Sequence, residues 1–322
     1  RSSSLDNQCA SYHQTLTAWF KLLEDVGHQY IVIDGEQLFA GRLATEGIKV
    51  LILPKTVSLS ENEIKSITAF TESGGVVIAD FWTGLFDGKG KGLADDQMPV
   101  NALFGIGRNS ADGWFDRTEL CEIDGEKDTS AGFAVLAHLY AKAKRHNGMP
   151  VAENGLKASK GADAVTVDNT PVLVSRTLGK GRTMFLNVSV LPYIDMSLRM
   201  SDVGDQYRSV IRSLLTDAGI VAACETLADG KPSPITETLI YQKSDGGKVI
   251  AIVKNPTRHG TITTLGEIPG IPSNTVNLTV TFKTPIKNVV NLATGASVPA
   301  ESDGKSFKFV WEPWQAAFFS FE

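Results

Sequence analysis

Two short apolar runs flank one amphipathic segment between residues 48 and 87, in the stretch that begins IKVLILPK and ends FWTGLFD. The first run, residues 49–53, stops at Pro54, and the second, residues 76–79, follows Gly74 and Gly75. Apolar runs of this length are typical of strands that are buried on both faces of a parallel sheet. The stretch therefore predicts two parallel strands with a crossover between them.

The segment between the two runs carries the signals of a helix. Ser60 followed by Glu63 predicts a capping box, and Ile64, Ile67 and Phe70 form one apolar stripe at helical spacing. The glycine pair that follows is suited to end the helix. A strand, helix and strand in this order form a right-handed βαβ unit, and ligands usually bind beyond the carboxyl ends of such strands.

The remainder of the N-terminal region fits the same α/β class. We predict a helix over residues 4–27, a first strand over 30–33, a short helical segment over 36–43 and a closing helix over 206–218. LGKGR is a predicted turn between 172–176 and 183–188, which form a hairpin or a strand pair at the sheet edge. The expected fold is thus a flavodoxin-like or amidotransferase-like parallel sheet with flanking helices.

Short alternating runs follow Cys224, separated by Gly, Pro and Asp turns, and indicate an antiparallel β-sandwich. We expect an α/β domain over residues 1–225 and a sandwich domain over 226–322. The predicted strands are 238–242, 248–253, 275–282, 286–291, 306–311 and 316–321.

Composition excludes several classes of protein. The net charge of −5 and the lack of a basic tract give no electrostatic reason to expect a nucleic-acid partner, and no run is long enough for a membrane helix. The three cysteines have no CxxC spacing and are expected to be buried free thiols. The chain begins with Arg1, so we expect a processed protein or a piece of a longer chain, in either the cytoplasm or a secreted form.

The order LILP, capped helix, GG, VVIA and then Trp82-Thr-Gly-Leu-Phe-Asp87 resembles the middle domain of the β-galactosidases of glycoside hydrolase family forty-two. This resemblance implies the fold of class I glutamine amidotransferases, used for trimer formation. The C-terminal sequence PWQAAFFSFE is similar to the β domain at the end of many glycosidases.

The resemblance also indicates where an amidotransferase would carry its catalytic groups. A cysteine nucleophile should follow residues 76–79, but Asp80 and Phe81 occupy this degenerate nucleophile position. The late strand over 183–188 continues into Ser189 without a histidine base. We therefore predict no catalytic residue for amide transfer.

A β-galactosidase needs two glutamates from a (β/α)₈ barrel of about 250 residues, and this chain shows no eightfold repeat. We expect the barrel to lie outside this chain. The five histidines lack metal-binding spacing, so neither a metal nor another cofactor is predicted. Local carboxylate pairs are interpreted as solvated charges: Asp34 with Glu36, Asp95 with Asp96, and Glu119 with Glu122.

Aromatic residues near the sheet edge offer one binding hypothesis. Trp82, Phe86 and Trp114, with Asp87, could form a platform for a sugar, or the rings could cover the sheet or an oligomer contact. The Asn187 and Asn277 sequons lie in predicted strands and do not distinguish these possibilities.

Three functions remain open at this point. The first is a non-catalytic assembly or accessory region of a β-galactosidase-like glycoside hydrolase, present as a homo-oligomer that could be a trimer. The second is a carbohydrate-binding module. The third is a hydrolase that uses acidic residues at the sheet edge, including Asp80 and Asp87.

Overall fold

Two units make up the chain in the computed structural model. The structure describes residues 11–94, 97–108, 153, 155–167, 170–191, 193–194, 201–233, 236–254, 275–312 and 315–322. The first unit contains residues 11–19, 32–193 and 213–220, and the second contains residues 20–31, 194–212 and 221–322, as far as they are described.

Helices are confined to the first 220 residues of the described chain. Within that part, no helix combines the length and the apolar character needed to cross a bilayer. The helices are α1 (Ser11–Asp25), α2 (Gly35–Phe39), α3 (Arg42–Thr45), α4 (Glu61–Glu72), α5 (Pro99–Phe104) and α6 (Ser201–Asp217).

The first unit is built on a mixed five-stranded sheet with the strand order β1-β2-β7-β6-β5. β1, β2 and β7 are parallel, whereas β6 is antiparallel to β7 and β5 is antiparallel to β6. The predicted βαβ unit and the predicted hairpin are both confirmed. The strands of this unit are β1 (Val50–Leu53), β2 (Val76–Asp80), β3 (Ile106–Gly107), β4 (Lys157–Ala158), β5 (Asp163–Val167), β6 (Thr170–Leu178) and β7 (Gly181–Leu186).

Helix α4 forms the crossover between β1 and β2, and its capping box is present as predicted. The Ser60 N–H donates to Glu63 Oε2 at 2.7 Å, and the Glu63 N–H donates to Ser60 Oγ at 3.3 Å. These bonds satisfy backbone donors that a helix start otherwise leaves free. The helix ends at Glu72, and Gly74 then takes a left-handed φ of +121°.

The apolar faces of α4 and the sheet enclose the core of the first unit. Ile67 on α4 and Val77, Val174 and Phe185 on the sheet are almost completely inaccessible to solvent. Phe104 of α5 packs edge-on against Phe185, with 5.7 Å between the ring centroids. This core holds the carboxyl ends of β2 and β7 side by side.

The prediction of a first strand over residues 30–33 is wrong. This segment belongs to no sheet among the described residues, and Val32 is 62% exposed. Its β-branched composition suits a strand, but strand formation also requires a neighbouring edge to pair with. The helical segment predicted over 36–43 is divided into α2 and α3 by Gly41, which has a φ of +76°.

The second unit contains the predicted antiparallel sandwich. Its sheets have the strand orders β10-β11-β15-β13 and β14-β12-β8-β9. Ile250, Leu278, Phe307 and Phe319, one from each of four strands, are completely buried in its core. The strands are β8 (Cys224–Ala228), β9 (Lys231–Pro232), β10 (Thr236–Gln242), β11 (Lys248–Lys254), β12 (Val276–Phe282), β13 (Val290–Asn291), β14 (Ser306–Trp311) and β15 (Ala317–Phe321).

The sandwich differs from the sequence expectation in two respects. β8 and β9 were not predicted, and β9 contains Pro232. The strand expected over residues 286–291 is reduced to the two residues of β13. β9 lies at the edge of its sheet, where a proline is tolerated because its missing N–H faces no partner strand.

Candidate functional site

The carboxyl ends of the parallel strands form the edge at which a ligand is expected in this type of sheet. Lys55 follows β1, Asp80 ends β2, and Asn187 follows β7. All three side chains belong to residues that are almost completely buried. The edge therefore consists of polar groups that are withdrawn from water, and their partners determine what it can do.

Asp80 is completely buried and is bound by two N–H donors. Trp19 Nε1 donates to Oδ2 at 2.8 Å, and the backbone N–H of Lys55 donates to Oδ1. Burial raises the pKa of Asp80 to about 7, although both hydrogen bonds and the Lys55 charge act in the opposite direction. Burial dominates because removing a carboxylate from water disfavours its charged form.

Lys55 places its charge against an aromatic face. The residue is 1% exposed, and Nζ lies 4.5 Å from the ring centroid of Trp82 and 5.8 Å from that of Phe81. An ammonium group over an indole face is stabilised by the ring quadrupole, particularly away from water. Lys55 also has a φ of +38°, which is uncommon for a residue with a side chain.

The chain turns sharply after Asp80. Trp82 has a φ of +66°, and its backbone N–H donates to Glu153 Oε1 at 2.5 Å. Hydrolases can present a serine nucleophile from a strained turn of this kind after a strand. Here the turn carries Phe81 and Trp82, and neither ring can act as a nucleophile.

Glu153 and Arg108 form a buried ion pair next to this turn. Arg108 Nε donates to Glu153 Oε2 at 2.7 Å, and the two side chains are each 5% exposed. The guanidinium also donates to Glu153 Oε1, to the Thr83 carbonyl and to Asn101 Oδ1. Several hydrogen bonds of this kind are needed to compensate for the loss of water around two charges.

Asn187 connects the end of β7 to the same group. Its Oδ1 accepts the Glu153 N–H at 2.8 Å, and its Nδ2 donates to the carbonyls of Glu153 and Pro171. The residue is completely buried, so this sequon is not available for glycosylation in the folded chain. Asn187 therefore fixes the position of Glu153 rather than a ligand.

The remaining predicted site residues differ in their surroundings. Phe86 is 6% exposed and packs with Val57, Leu85 and Met98, and Trp82 is partly buried against this cluster. The indole N–H of Trp82 has no hydrogen-bond partner among the described residues.

Asp87 lies on the loop that follows. The backbone N–H groups of Lys91 and Lys89 donate to its Oδ1 and lower the pKa of Asp87. Trp114 lies outside the described residues, as do Asp95, Asp96, Glu119 and Glu122. A sugar platform that includes Trp114 remains a prediction.

The described residues at this edge bind one another through hydrogen bonds, an ion pair and a cation–π contact. In the described part of the chain, the edge carries no thiol next to an imidazole, and no cluster of three metal-ligating side chains occurs. Cys224 is a buried free thiol in the sandwich, and burial raises the pKa of this thiol to about 11. Cys9 and Cys121 lie outside the described residues.

Sequence reasoning did not identify Arg108, Glu153 or Trp19 as members of this edge. Arg108 and Glu153 are 45 positions apart, and Trp19 and Asp80 are 61 positions apart. Neither contact leaves a local sequence pattern. Asn187 was singled out only as a sequon, although its place after the last parallel strand is a usable signal for a residue at this edge.

Comparison with known proteins gives a family model and a set of structural neighbours. The model described as "Beta-galactosidase trimerisation domain" matches residues 1–220. No curated protein matches the chain.

Two β-galactosidases are among the structural neighbours. Gan42B, a GH42 β-galactosidase from G. stearothermophilus, superposes with a TM-score of 0.60 at 15% identity over 97% of this chain and 36% of that chain. The β-galactosidase from Bacillus circulans sp. alkalophilus gives a TM-score of 0.58 at 13% identity over 96% of this chain and 37% of that chain.

α-L-Fucosidase isoenzyme 2 from Paenibacillus thiaminolyticus has a TM-score of 0.56 at 14% identity, covering 96% of this chain and 45% of that chain. At these identities the likeness shows the fold, which is that of the middle and β domains of the GH42 enzymes. The chain spans little more than a third of the length of the β-galactosidases that it matches.

Proposed function

Because the chain belongs to the β-galactosidase trimerisation domain family, we propose that it is the assembly and accessory region of a β-galactosidase-like glycoside hydrolase. In this proposal the chain associates with copies of itself, as a trimer, and positions a catalytic barrel that other residues supply. The substrate of the whole enzyme would be a galactoside. Residues 1–225 serve as the assembly domain and residues 226–322 as an accessory β-sandwich.

One observation carries the proposal: the family model spans 220 of the 322 residues and is described as a trimerisation domain. The structural neighbours support it, since two GH42 β-galactosidases align with nearly the whole chain and have more than half of their own length outside the alignment. That additional length is sufficient for a catalytic domain of about 250 residues or more.

The sheet edge supports an assembly role. The position at which a nucleophile would act is occupied by Asp80, which is bound by Trp19 and Lys55, and by a turn whose backbone is bound by Glu153. Each of these contacts fixes one segment of the chain to another. Such an edge stabilises the shape of the domain and leaves its outer surfaces for contacts with other chains.

Light scattering on the purified chain tests this proposal. A trimer has about three times the chain mass of 34.6 kDa, and its fraction falls on dilution in the way that mass action requires. A monomer at the highest attainable concentration would overturn the assembly role. Addition of a separately produced family forty-two barrel domain, followed by a galactoside assay, tests the accessory role.

Carbohydrate binding is a second candidate, favoured by the partial exposure of Trp82 beyond the end of β2. Indole faces are good platforms for the apolar faces of sugars, and Asp87 is near in sequence as a hydrogen-bond acceptor. The test is titration with a panel of galactosides, comparing the wild type with Trp82→Ala and Trp114→Ala. Equal affinity in all three proteins, or no binding by the wild type, removes this candidate.

Hydrolysis by acidic residues at the sheet edge is the third candidate. Its basis is the raised pKa of Asp80, since a carboxyl group with a pKa near neutrality is suited to proton transfer. However, Asp80 is completely buried and its two oxygens accept hydrogen bonds from Trp19 and Lys55. Turnover of a chromogenic galactoside that Asp80→Asn abolishes and Asp87→Asn reduces would favour this candidate over assembly.

A further inference from the structure

Two large apolar side chains, Val32 and Phe39, are exposed in the described part of the first unit, and no others of that kind are exposed there. Val32 is 62% exposed and Phe39 is 49% exposed. The other exposed large apolar side chains of the described chain belong to the second unit. Exposed Val or Phe residues are unremarkable when scattered, but Val32 lies just before α2 in the chain and Phe39 is the last residue of that helix.

The backbone between Val32 and Phe39 is held in place by a capping box at the start of α2. Gln37 N donates to Asp34 Oδ1 at 2.8 Å, and Asp34 N donates to Gln37 Oε1 at 3.1 Å. Ile33 and Leu38 pack against the core of the first unit. The inward packing of these two residues leaves Val32 and Phe39, their immediate neighbours in the chain, in solvent.

We infer that residues 32–39, named here the 32–39 surface, form the apolar centre of the contact between copies of this chain. This inference rests on the proposed function and specifies the surface that performs it. The partner is a second copy because the surface lies within the region matched by the trimerisation family model. It is also the place where the first unit exposes large apolar side chains among its described residues.

The symmetry of the assembly restricts what this surface meets. A closed trimer is built from heterologous contacts, in which one surface of a subunit meets a different surface of the next. The 32–39 surface would therefore contact another part of the neighbouring copy. The exposed carboxylates of Asp34 and Glu36 lie between the two apolar side chains in sequence and would contribute to the polar part of the contact.

Two side chains do not make a complete interface, since stable contacts bury about 800 Å² on each partner. A few central apolar or aromatic residues nevertheless carry most of the binding free energy, and the surrounding contacts mainly exclude water. Phe39 and Val32 are suited to that central role because both are exposed and sit on a fixed backbone. A lysine placed at either position would have to lose its hydration on association, which costs binding free energy.

The test compares Phe39→Lys and Val32→Lys with matched controls on the sandwich. Phe318, which is 42% exposed, and Val310, which is 68% exposed, provide Phe318→Lys and Val310→Lys with the same change in charge and side chain. The dissociation constant of the oligomer is measured by light scattering over a dilution series. We expect at least about a 30-fold increase for the two test variants and less than about a 3-fold change for the controls.

Each outcome separates this inference from the proposed function. If only the Phe39→Lys and Val32→Lys variants dissociate, and their thermal unfolding is unchanged, the result supports the 32–39 surface as the contact between copies. If the wild type is oligomeric and all four variants have the same dissociation constant as the wild type, the 32–39 surface is not the contact. The assembly role then remains intact. Equal weakening by the controls overturns it as well, because the effect is then one of charge alone. A monomeric wild type overturns both.

Discussion

Trp19 on α1 donates its indole N–H to the carboxylate of Asp80 at the end of β2, with 2.8 Å between Nε1 and Oδ2. Both residues are almost completely buried. This bond connects a helix to the central sheet at the position where an enzyme of similar architecture would place its nucleophile. The second oxygen of Asp80 accepts the backbone N–H of Lys55, so the same carboxyl group also fixes the loop after β1.

Replacement of Asp80 by alanine should lower the free energy of unfolding by about 2–6 kcal/mol. The change leaves two buried donors, Trp19 Nε1 and the Lys55 N–H, without an acceptor, and each such loss costs about 1–3 kcal/mol. Urea unfolding of the purified variant measures the effect. The control is Asp245→Ala, which removes an exposed carboxylate and should leave the free energy of unfolding almost unchanged. Equal effects of the two substitutions would contradict a bracing role for Asp80.

The raised pKa of Asp80 predicts a pH-dependent stability. Burial raises its pKa from 3.8 to about 7 in the folded chain, so the folded state binds more protons than the unfolded state between these values. The stabilising contribution of Asp80 to the free energy of unfolding is therefore complete below about pH 4 and is lost as the pH rises through about 7. A shift of this size corresponds to an upper limit of about 4 kcal/mol.

The measurement is the free energy of unfolding of the wild type and of Asp80→Asn over the range from about pH 4 to pH 7.5. The asparagine side chain keeps an acceptor but does not titrate in this range. The stability of the wild type relative to the variant should decrease steadily as the pH rises. Parallel profiles would show that Asp80 has the same protonation in the folded and unfolded chains.

Local signals in the sequence were sufficient for much of the first unit. Ser60 and Glu63 are three positions apart, and their capping box depends only on the chain between them, so the start of α4 could be predicted correctly. The hairpin of β6 and β7 was predictable for the same reason, because its turn lies between two apolar strands. The sandwich strands alternate with period two, which also is a local property.

Contacts between distant segments could not be predicted in this way. No residue near Arg108 in the sequence indicates a buried ion pair, because its partner Glu153 follows 45 positions later. The wrong strand over residues 30–33 has the same origin, since pairing depends on an edge elsewhere in the chain. For the candidate site, Asp80 was identified from its position after a strand, whereas the groups that bind it were not.

Breaking the Arg108–Glu153 pair should be strongly destabilising. Glu153→Gln leaves the buried guanidinium without its counter-charge, and Arg108→Met leaves the buried carboxylate without its counter-charge. Each substitution should lower the free energy of unfolding by about 3–5 kcal/mol. The double variant should be more stable than the sum of the single effects implies, because neither charge remains. A double-mutant cycle from urea unfolding measures this coupling.

An exposed ion pair provides the comparison for this cycle. Lys308 and Glu301 lie 3.1 Å apart on the sandwich, with side chains that are 54% and 40% exposed. Their removal should change the free energy of unfolding by less than about 1 kcal/mol, because water replaces each partner. A coupling energy for Arg108 and Glu153 as small as that of the exposed pair would contradict the burial of their charges.

Gly181 should be among the least replaceable residues of the first unit. A Cβ atom at this position would lie 2.1 Å from the carbonyl oxygens of Thr71 and Gly75, so alanine cannot fit unless β7 moves away from the end of α4. We expect Gly181→Ala to lower the free energy of unfolding by about 3 kcal/mol or more, since these neighbours are backbone atoms and cannot rotate aside. Gly107→Ala is the control, because a Cβ there would meet no described residue within 4 Å and needs no left-handed backbone, so its effect should be within about 0.5 kcal/mol. Thermal and urea unfolding of the two variants measure the difference, and equal stability would show that β7 does not approach α4 as closely as described.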